Sequence, residues 1–193
     1  MTQSIQRGRN RECPCCRQSG PVSRRFFLQR ILPAGLIYGA TLIRPQSALA
    51  DEHRATALVL SCIDFRFVGW EHSFLSNQHL DQAYDWVALA GASLALTGFP
   101  HPAEAEAFWD QLGLSKQLHD IRKVIILDHQ DCGAYASVYQ QPFSDLTSEQ
   151  NLHAKYLNRA YEQIRQRYPD LDVELYFVRL TGEVSRVSPH QLM

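Results

Sequence analysis

Thr56-Ala57-Leu58-Val59-Leu60-Ser61-Cys62-Ile63-Asp64-Phe65-Arg66 is the stretch that decides the fold. Its first half is a continuous apolar run. An alternating strand has one wet face, whereas a continuous apolar strand is covered on both faces, as in a parallel sheet between helices. Its second half places a thiol, a carboxylate and a guanidinium at alternate positions just past the strand end. In an extended segment all three would project to one side. A second stretch has the same organisation. Val124-Ile125-Ile126-Leu127 is followed at once by Asp128-His129-Gln130-Asp131-Cys132-Gly133.

Outward from these runs, Asp85 to Ala90 and Val173 to Val178 are weaker strand candidates. Pro102 to His119 reads as a helix, with Pro near its start and Phe108, Trp109, Leu112 and Leu118 at helical spacing. Thr147 or Ser148 can cap a long helix running to about Tyr168. There Leu152, Tyr156, Leu157, Ala160 and Ile164 fall at steps of three and four, and Pro169 closes it. A short helix is expected over Ala134 to Tyr139, another between Phe67 and Leu80, and a loop over Gln140 to Asp145. Strands separated by helices of this length make βαβ units. The expected class is α/β, a single domain with a central, mainly parallel sheet of about four strands flanked by helices. Such a sheet aligns the carboxyl ends of its strands, where ligand sites form. Cys62 and His129 both lie just past strand ends, so the architecture brings the two stretches together.

Residues 1–50 read as an export leader that is removed, or as an amphipathic anchor that stays attached, and residues 51–193 as the domain. Ser23-Arg24-Arg25-Phe26-Phe27-Leu28-Gln29 resembles a twin-arginine signal. A mostly apolar stretch from Ile31 to Ile43 follows, then Ser47-Ala48-Leu49-Ala50, a small-x-small cleavage pattern. The expected location is the periplasm, or the thylakoid lumen in a photosynthetic bacterium, reached through the twin-arginine export machinery. That route suits a protein carried already folded around a metal. The leader has 8 Arg against 1 Glu, and the rest has 11 Lys and Arg against 19 Asp and Glu, so a charge of −8 follows a charge of +7. An acidic domain without a basic run is a poor nucleic-acid binder, since phosphate neutralisation needs clustered Lys and Arg, so no nucleic-acid partner is expected. Cys13, Cys15 and Cys16 fall in the leader, and Cys62 and Cys132 are the cysteines left after it. In an oxidising compartment two lone cysteines invite a disulfide. That pairing gives no reason for His129, three residues before Cys132.

Two thiolates and an imidazole suit Zn2+, and three protein ligands leave a fourth position for water, whose pKa the ion lowers toward neutrality. Cys62, His129 and Cys132 are therefore the expected metal ligands. Asp64 and Arg66 are the expected catalytic pair. The guanidinium would hold the carboxylate ionised and oriented, and the carboxylate would accept a hydrogen bond from the water. A structural ion pair is the alternative reading of the same two residues.

Cys-x-Asp-x-Arg followed by His-x-x-Cys-Gly, each after a buried strand, resembles the β-class carbonic anhydrases. The likeness runs through Cys62, Asp64, Arg66, His129, Cys132 and Gly133. It implies a zinc lyase interconverting carbon dioxide and hydrogen carbonate, with Asp64 and Arg66 as the dyad that gates the fourth ligand. In some members the aspartate swings onto the zinc and closes the site. The resemblance also implies a homodimer or higher homo-oligomer with active sites near the subunit interface. Where the family often carries Arg-Asn-Ala-Gly, this chain has Ala88-Leu89-Ala90-Gly91, without the Arg and the Asn. The small, minimal members are the nearer likeness. Two other readings keep the same site: hydrolysis of carbonyl sulfide or carbon disulfide, and a closed, non-catalytic zinc site.

Other residues read less specifically. His153 is a proton shuttle or a partly buried helix-face histidine. Asp128 and Asp131 either orient the ligands or are solvated turn residues. His72, His79, His101, His119 and His190 read as surface, and Trp70, Trp86 and Trp109 as core. Thr181-Gly182-Glu183 is a candidate to end near the site.

Overall fold

A computed structural model describes residues 53–139, 143 and 145–189. The proposed leader, residues 1–50, lies outside the described residues, as do His190 and most of the loop expected at 140–145. The elements in chain order are β1 (Ala57–Ser61), α1 (Val68–Asn77), β2 (Tyr84–Ala88), a 3-10 helix (Ala92–Thr97), α2 (Pro102–His119), β3 (Lys123–His129), α3 (Gly133–Tyr139), α4 (Leu146–Arg167), β4 (Asp172–Val178) and β5 (Val184–Val187).

The sheet has the order β2-β1-β3-β4-β5. β1 pairs in parallel with β2 and with β3, and β3 with β4, while β5 runs antiparallel to β4. Four parallel strands match the expectation, and β5 is an addition to it. Val184-Ser185-Arg186-Val187 is only four residues long and returns along an edge, so it carries no apolar run.

The period-2 geometry of a strand sorts the apolar runs into two layers. Leu58, Leu60, Val124, Ile126, Val173 and Leu175 pack against Phe108 and Leu112 of α2 and Leu157, Ala160 and Ile164 of α4. Ala57, Val59, Ile125, Leu127 and Val178 point the other way, onto Phe67, Leu75 and Leu80 around α1. Both faces of β1 are thereby dry, with all five of its residues buried. Each of its large side chains contributes about 2 kcal/mol of apolar burial.

Three local expectations change. The cap of α4 is Asp145, whose carboxylate accepts from the Ser148 backbone N–H at 2.8 Å, so Ser148 supplies a first-turn donor instead of the cap. The strand expected over Asp85 to Ala90 ends at Ala88, and a 3-10 helix that opens on Gly91 at φ +80° follows it. Trp70 is 48 % exposed instead of core, and its ring lies over Gly182. A Cβ at Gly182 would sit 2.5 Å from the Trp70 ring, so only glycine admits that contact.

Candidate metal centre

Parallel register places the site. Ser61 of β1 pairs with Leu127 of β3, and β3 continues two residues further to His129. Cys62 follows β1 directly and Cys132 precedes α3 directly, so all three arrive at the carboxyl edge of adjacent strands. The two sulfurs, with one ring nitrogen of His129, lie within 4.8 Å of one another, and all three residues are buried.

Three observations test whether these residues fit a zinc ion. The sulfurs of Cys62 and Cys132 are 3.9 Å apart. Two sulfurs each about 2.3 Å from a tetrahedral ion lie about 3.8 Å apart. A disulfide would hold them at about 2.05 Å, and both cysteines are free. His129 Nδ1 lies 2.8 Å from the Gln130 carbonyl oxygen, an acceptor only, so Nδ1 carries the proton. Nε2 then presents a lone pair, and it is buried without a hydrogen-bond partner. The Phe67 ring stacks on the imidazole at 4.1 Å and fixes its plane. The residues present fit the ion.

Electrostatics agree with the geometry. The Cys132 thiol hydrogen-bonds Cys62 and pulls the Cys62 pKa down; burial opposes this, and the Gly91 backbone N–H, 3.3 Å from its sulfur, adds to the lowering. The Cys132 pKa moves up, because its neighbour ionises first and because it is buried. A cation between the sulfurs relieves that conflict by stabilising both thiolates.

Asp64 and Arg66 meet as expected, by a different backbone route. The segment turns instead of extending: Asp64 Oδ1 accepts from the Arg66 backbone N–H at 3.0 Å. An aspartate readily bonds a backbone N–H two residues on, and that local bond wins over an extended segment. The guanidinium then donates from Nε at 3.0 Å and from NH2 at 2.7 Å to the two carboxylate oxygens. Arg66 thus holds the Asp64 carboxyl below the usual range. The carboxylate faces the ligands, with Oδ2 4.0 Å from His129 Nε2. Arg66 also reaches Asp131, donating to its carboxylate at 2.8 Å and its carbonyl at 2.9 Å. Asp131 is therefore a second anchor for the guanidinium.

Glu71, Ser93 and Tyr135, near the site, escaped sequence reasoning, and the places of Asp128 and His153 were left open by it. Glu71 of α1 is 1 % exposed, with both carboxylate oxygens unpartnered. Burial pushes its carboxyl up to about 7. Asp128 is fully buried rather than solvated and accepts from Ser93, Tyr135 and His153. His153 is itself fully buried, which removes the exposed ring a proton shuttle needs. The β4–β5 turn does approach the site, since the Leu180 backbone N–H donates to the Gln130 side chain at 3.1 Å. Beside Cys62, an apolar cleft is lined by Ile63, Val68, His72, Tyr84, Trp86 and Ala88.

A family model described as "Putative carbonic anhydrase" matches residues 52–188. The chain belongs to this carbonic anhydrase family. An uncharacterised protein of Rickettsia bellii is 30% identical over 136 residues, covering 70% of this chain and 83% of its own. An uncharacterised protein of Rickettsia conorii is 31% identical over 145 residues, covering 72% of this chain and 78% of its own. Among solved structures, the β-carbonic anhydrase CafA of Aspergillus fumigatus superposes with a TM-score of 0.53 at 11% identity, over 72% of this chain and 78% of that one. A tetrameric β-carbonic anhydrase of Sordaria macrospora gives 0.53 at 8% identity, over 73% of this chain and 85% of that one. At these identities the carbonic anhydrase structures establish the shared fold.

Proposed function

We propose that this protein is a zinc-dependent carbonic anhydrase that hydrates carbon dioxide reversibly to hydrogen carbonate. The observation that carries this reading is the Asp64 carboxylate, ionised by Arg66 and 4.0 Å from Nε2 of His129, within the buried donor set of Cys62, His129 and Cys132. Membership in the carbonic anhydrase family supports it.

Cys62, His129 and Cys132 would hold the ion. When bound there, zinc supplies a Lewis-acidic position at which water loses a proton near neutral pH. The chain's own residues do the rest. Asp64, kept anionic by Arg66, accepts a hydrogen bond and so orients the attacking water's lone pair toward substrate. Arg66 keeps its place because Asp131 grips its far side. The apolar cleft beside Cys62 receives a small, linear, uncharged molecule and offers hydrogen carbonate little reason to stay. The cleft walls Ile63 and Val68, with Phe65 and Trp70 nearby, are exposed apolar side chains. We assign that face to a second copy of the chain, in keeping with a homo-oligomer.

The test is hydration of carbon dioxide by the zinc-loaded protein, followed with a pH indicator, beside Asp64→Ala and Arg66→Ala. The expected result is a wild-type rate well above background and a loss of more than about hundredfold in kcat/KM for either variant, with zinc content unchanged. Stoichiometric zinc without hydration at any pH would sink the proposal. Turnover of carbonyl sulfide or carbon disulfide alone would move the substrate, and a crystal structure with Asp64 on the metal at every pH would make the site a closed one.

A further inference from the structure

We propose that Ser93, Asp128, Tyr135 and His153 form a buried positioning set that fixes the separation of the three metal ligands. This rests on reading Cys62, His129 and Cys132 as metal ligands and on no activity.

Asp128 is 1 % exposed and lies at the centre. Its Oδ1 accepts from the Ser93 backbone N–H at 3.0 Å. Its Oδ2 accepts from Ser93 Oγ at 2.6 Å, Tyr135 Oη at 2.8 Å and His153 Nδ1 at 2.9 Å. The Ser93 and Tyr135 hydroxyls are 2.9 Å apart. A buried carboxylate is stable only when its lone pairs are filled, and here four donors fill them.

The four residues come from four elements: the 3-10 helix, β3, α3 and α4. Three of these carry or touch a ligand. Asp128 precedes His129 on β3. Ser93 follows Gly91 by two residues, and the Gly91 N–H bonds the Cys62 sulfur. Tyr135 follows Cys132 by three residues, on the helix whose Ala136 N–H bonds the Cys132 carbonyl at 3.0 Å. Asp128 thus ties the Cys62 side and the Cys132 side to the strand bearing His129. The two sides nearly touch, since a Cβ on Gly91 would lie 3.1 Å from the Ala134 Cβ. A shift of α3 against the 3-10 helix would therefore alter the distance between the sulfurs directly. Asp128, His153 and Tyr135 are all buried, so the set acts through the ligands and not on substrate.

Metal binding by the full chain tests this without any activity measurement. Zinc affinity is read by competition with a chromogenic chelator, and ligand geometry by the visible spectrum of the Co2+ form. Tyr135→Phe removes one hydroxyl, and Asp128→Asn removes the charged hub. Ile164→Val, in the core layer under α4, serves as a stability control. Tyr135→Phe and Asp128→Asn are expected to bind zinc about tenfold more weakly and to shift the Co2+ spectrum. Ile164→Val is expected to lower the melting temperature and change neither. Should Asp128→Asn not fold, Tyr135→Phe decides alone. Wild-type affinity and spectrum in Tyr135→Phe overturn the proposal, as does a spectral shift of the same size in Ile164→Val. A wild-type chain that binds no zinc overturns the ligand reading itself, a result visible before any variant is compared.

Discussion

Glu71 shows what a single buried carboxyl does to the pH response of the fold. Its pKa is about 7 in the folded chain, raised by burial, against an ordinary 4.5 when unfolded. Between those values the folded state holds a proton that the unfolded state has released. Stability on this account is full below about pH 4.5, falls as pH rises, and is lost by about pH 7, a drop on the order of 3 kcal/mol. Glu71→Gln keeps the shape and removes the ionisation. In urea unfolding of the metal-free protein, the variant should match wild type at pH 5 and exceed it at pH 8. An equal gap at both pH values would refute the assignment. Glu71 was not legible in the sequence, since a lone helical glutamate ordinarily faces solvent. Cys62, Asp64, Arg66, His129 and Cys132 were legible as candidates, because two thiols and an imidazole past buried strand ends suit a metal and the Asp64–Arg66 pair follows one of those thiols. Asp128 stood between these cases: its place beside a ligand was visible, but its donors come from segments 7 to 35 residues away.

At the level of elements, the strands with continuous apolar runs and the long helices were readable. A parallel strand must be dry on both faces, and a helix as long as α4 repeats its pattern over several turns. The 3-10 helix and β5 were not, since six and four residues are too few to show a period. The 3-10 helix matters most for the site, because its entry residue Gly91 donates to the Cys62 sulfur. Gly91 has φ +80°, and an added Cβ would lie 3.1 Å from both the Ala134 and Leu94 Cβ atoms. Gly91→Ala combines backbone strain with a displaced α3. The expected cost is about 2 kcal/mol of stability in thermal unfolding, accompanied by weaker zinc retention against a chelator. A variant that loses stability but retains zinc as wild type does would separate the turn from the site.

For the whole molecule, the distribution of exposed apolar side chains is uneven. Phe65 is 85 % exposed and Ile63 64 %, both within the loop that also carries Cys62, Asp64 and Arg66. β2 is an edge strand beside them, with parallel pairing on one side only. Edges and apolar patches together mark surfaces that proteins cover. Phe65→Glu is expected to shift sedimentation of the protein to the monomer and to lower any hydration rate, because the cleft wall is shared with that face. A monomeric wild type would overturn the homo-oligomer reading, and an unaltered assembly in Phe65→Glu would place the interface elsewhere.

The ring of Trp70 lying over the bare backbone of Gly182 has a practical consequence. Trp70 begins one residue before Glu71 and four after Arg66, and it bridges that segment to the β4–β5 turn. Its half-exposed indole is therefore a built-in fluorophore for the site. Trp86 lines the apolar cleft beside Cys62, so in a Trp86→Phe background a rearrangement of the 62–67 loop is expected to shift the emission of Trp70, with Trp109, under Arg167, as a constant background. Emission wavelength would then report metal loading, with no label attached.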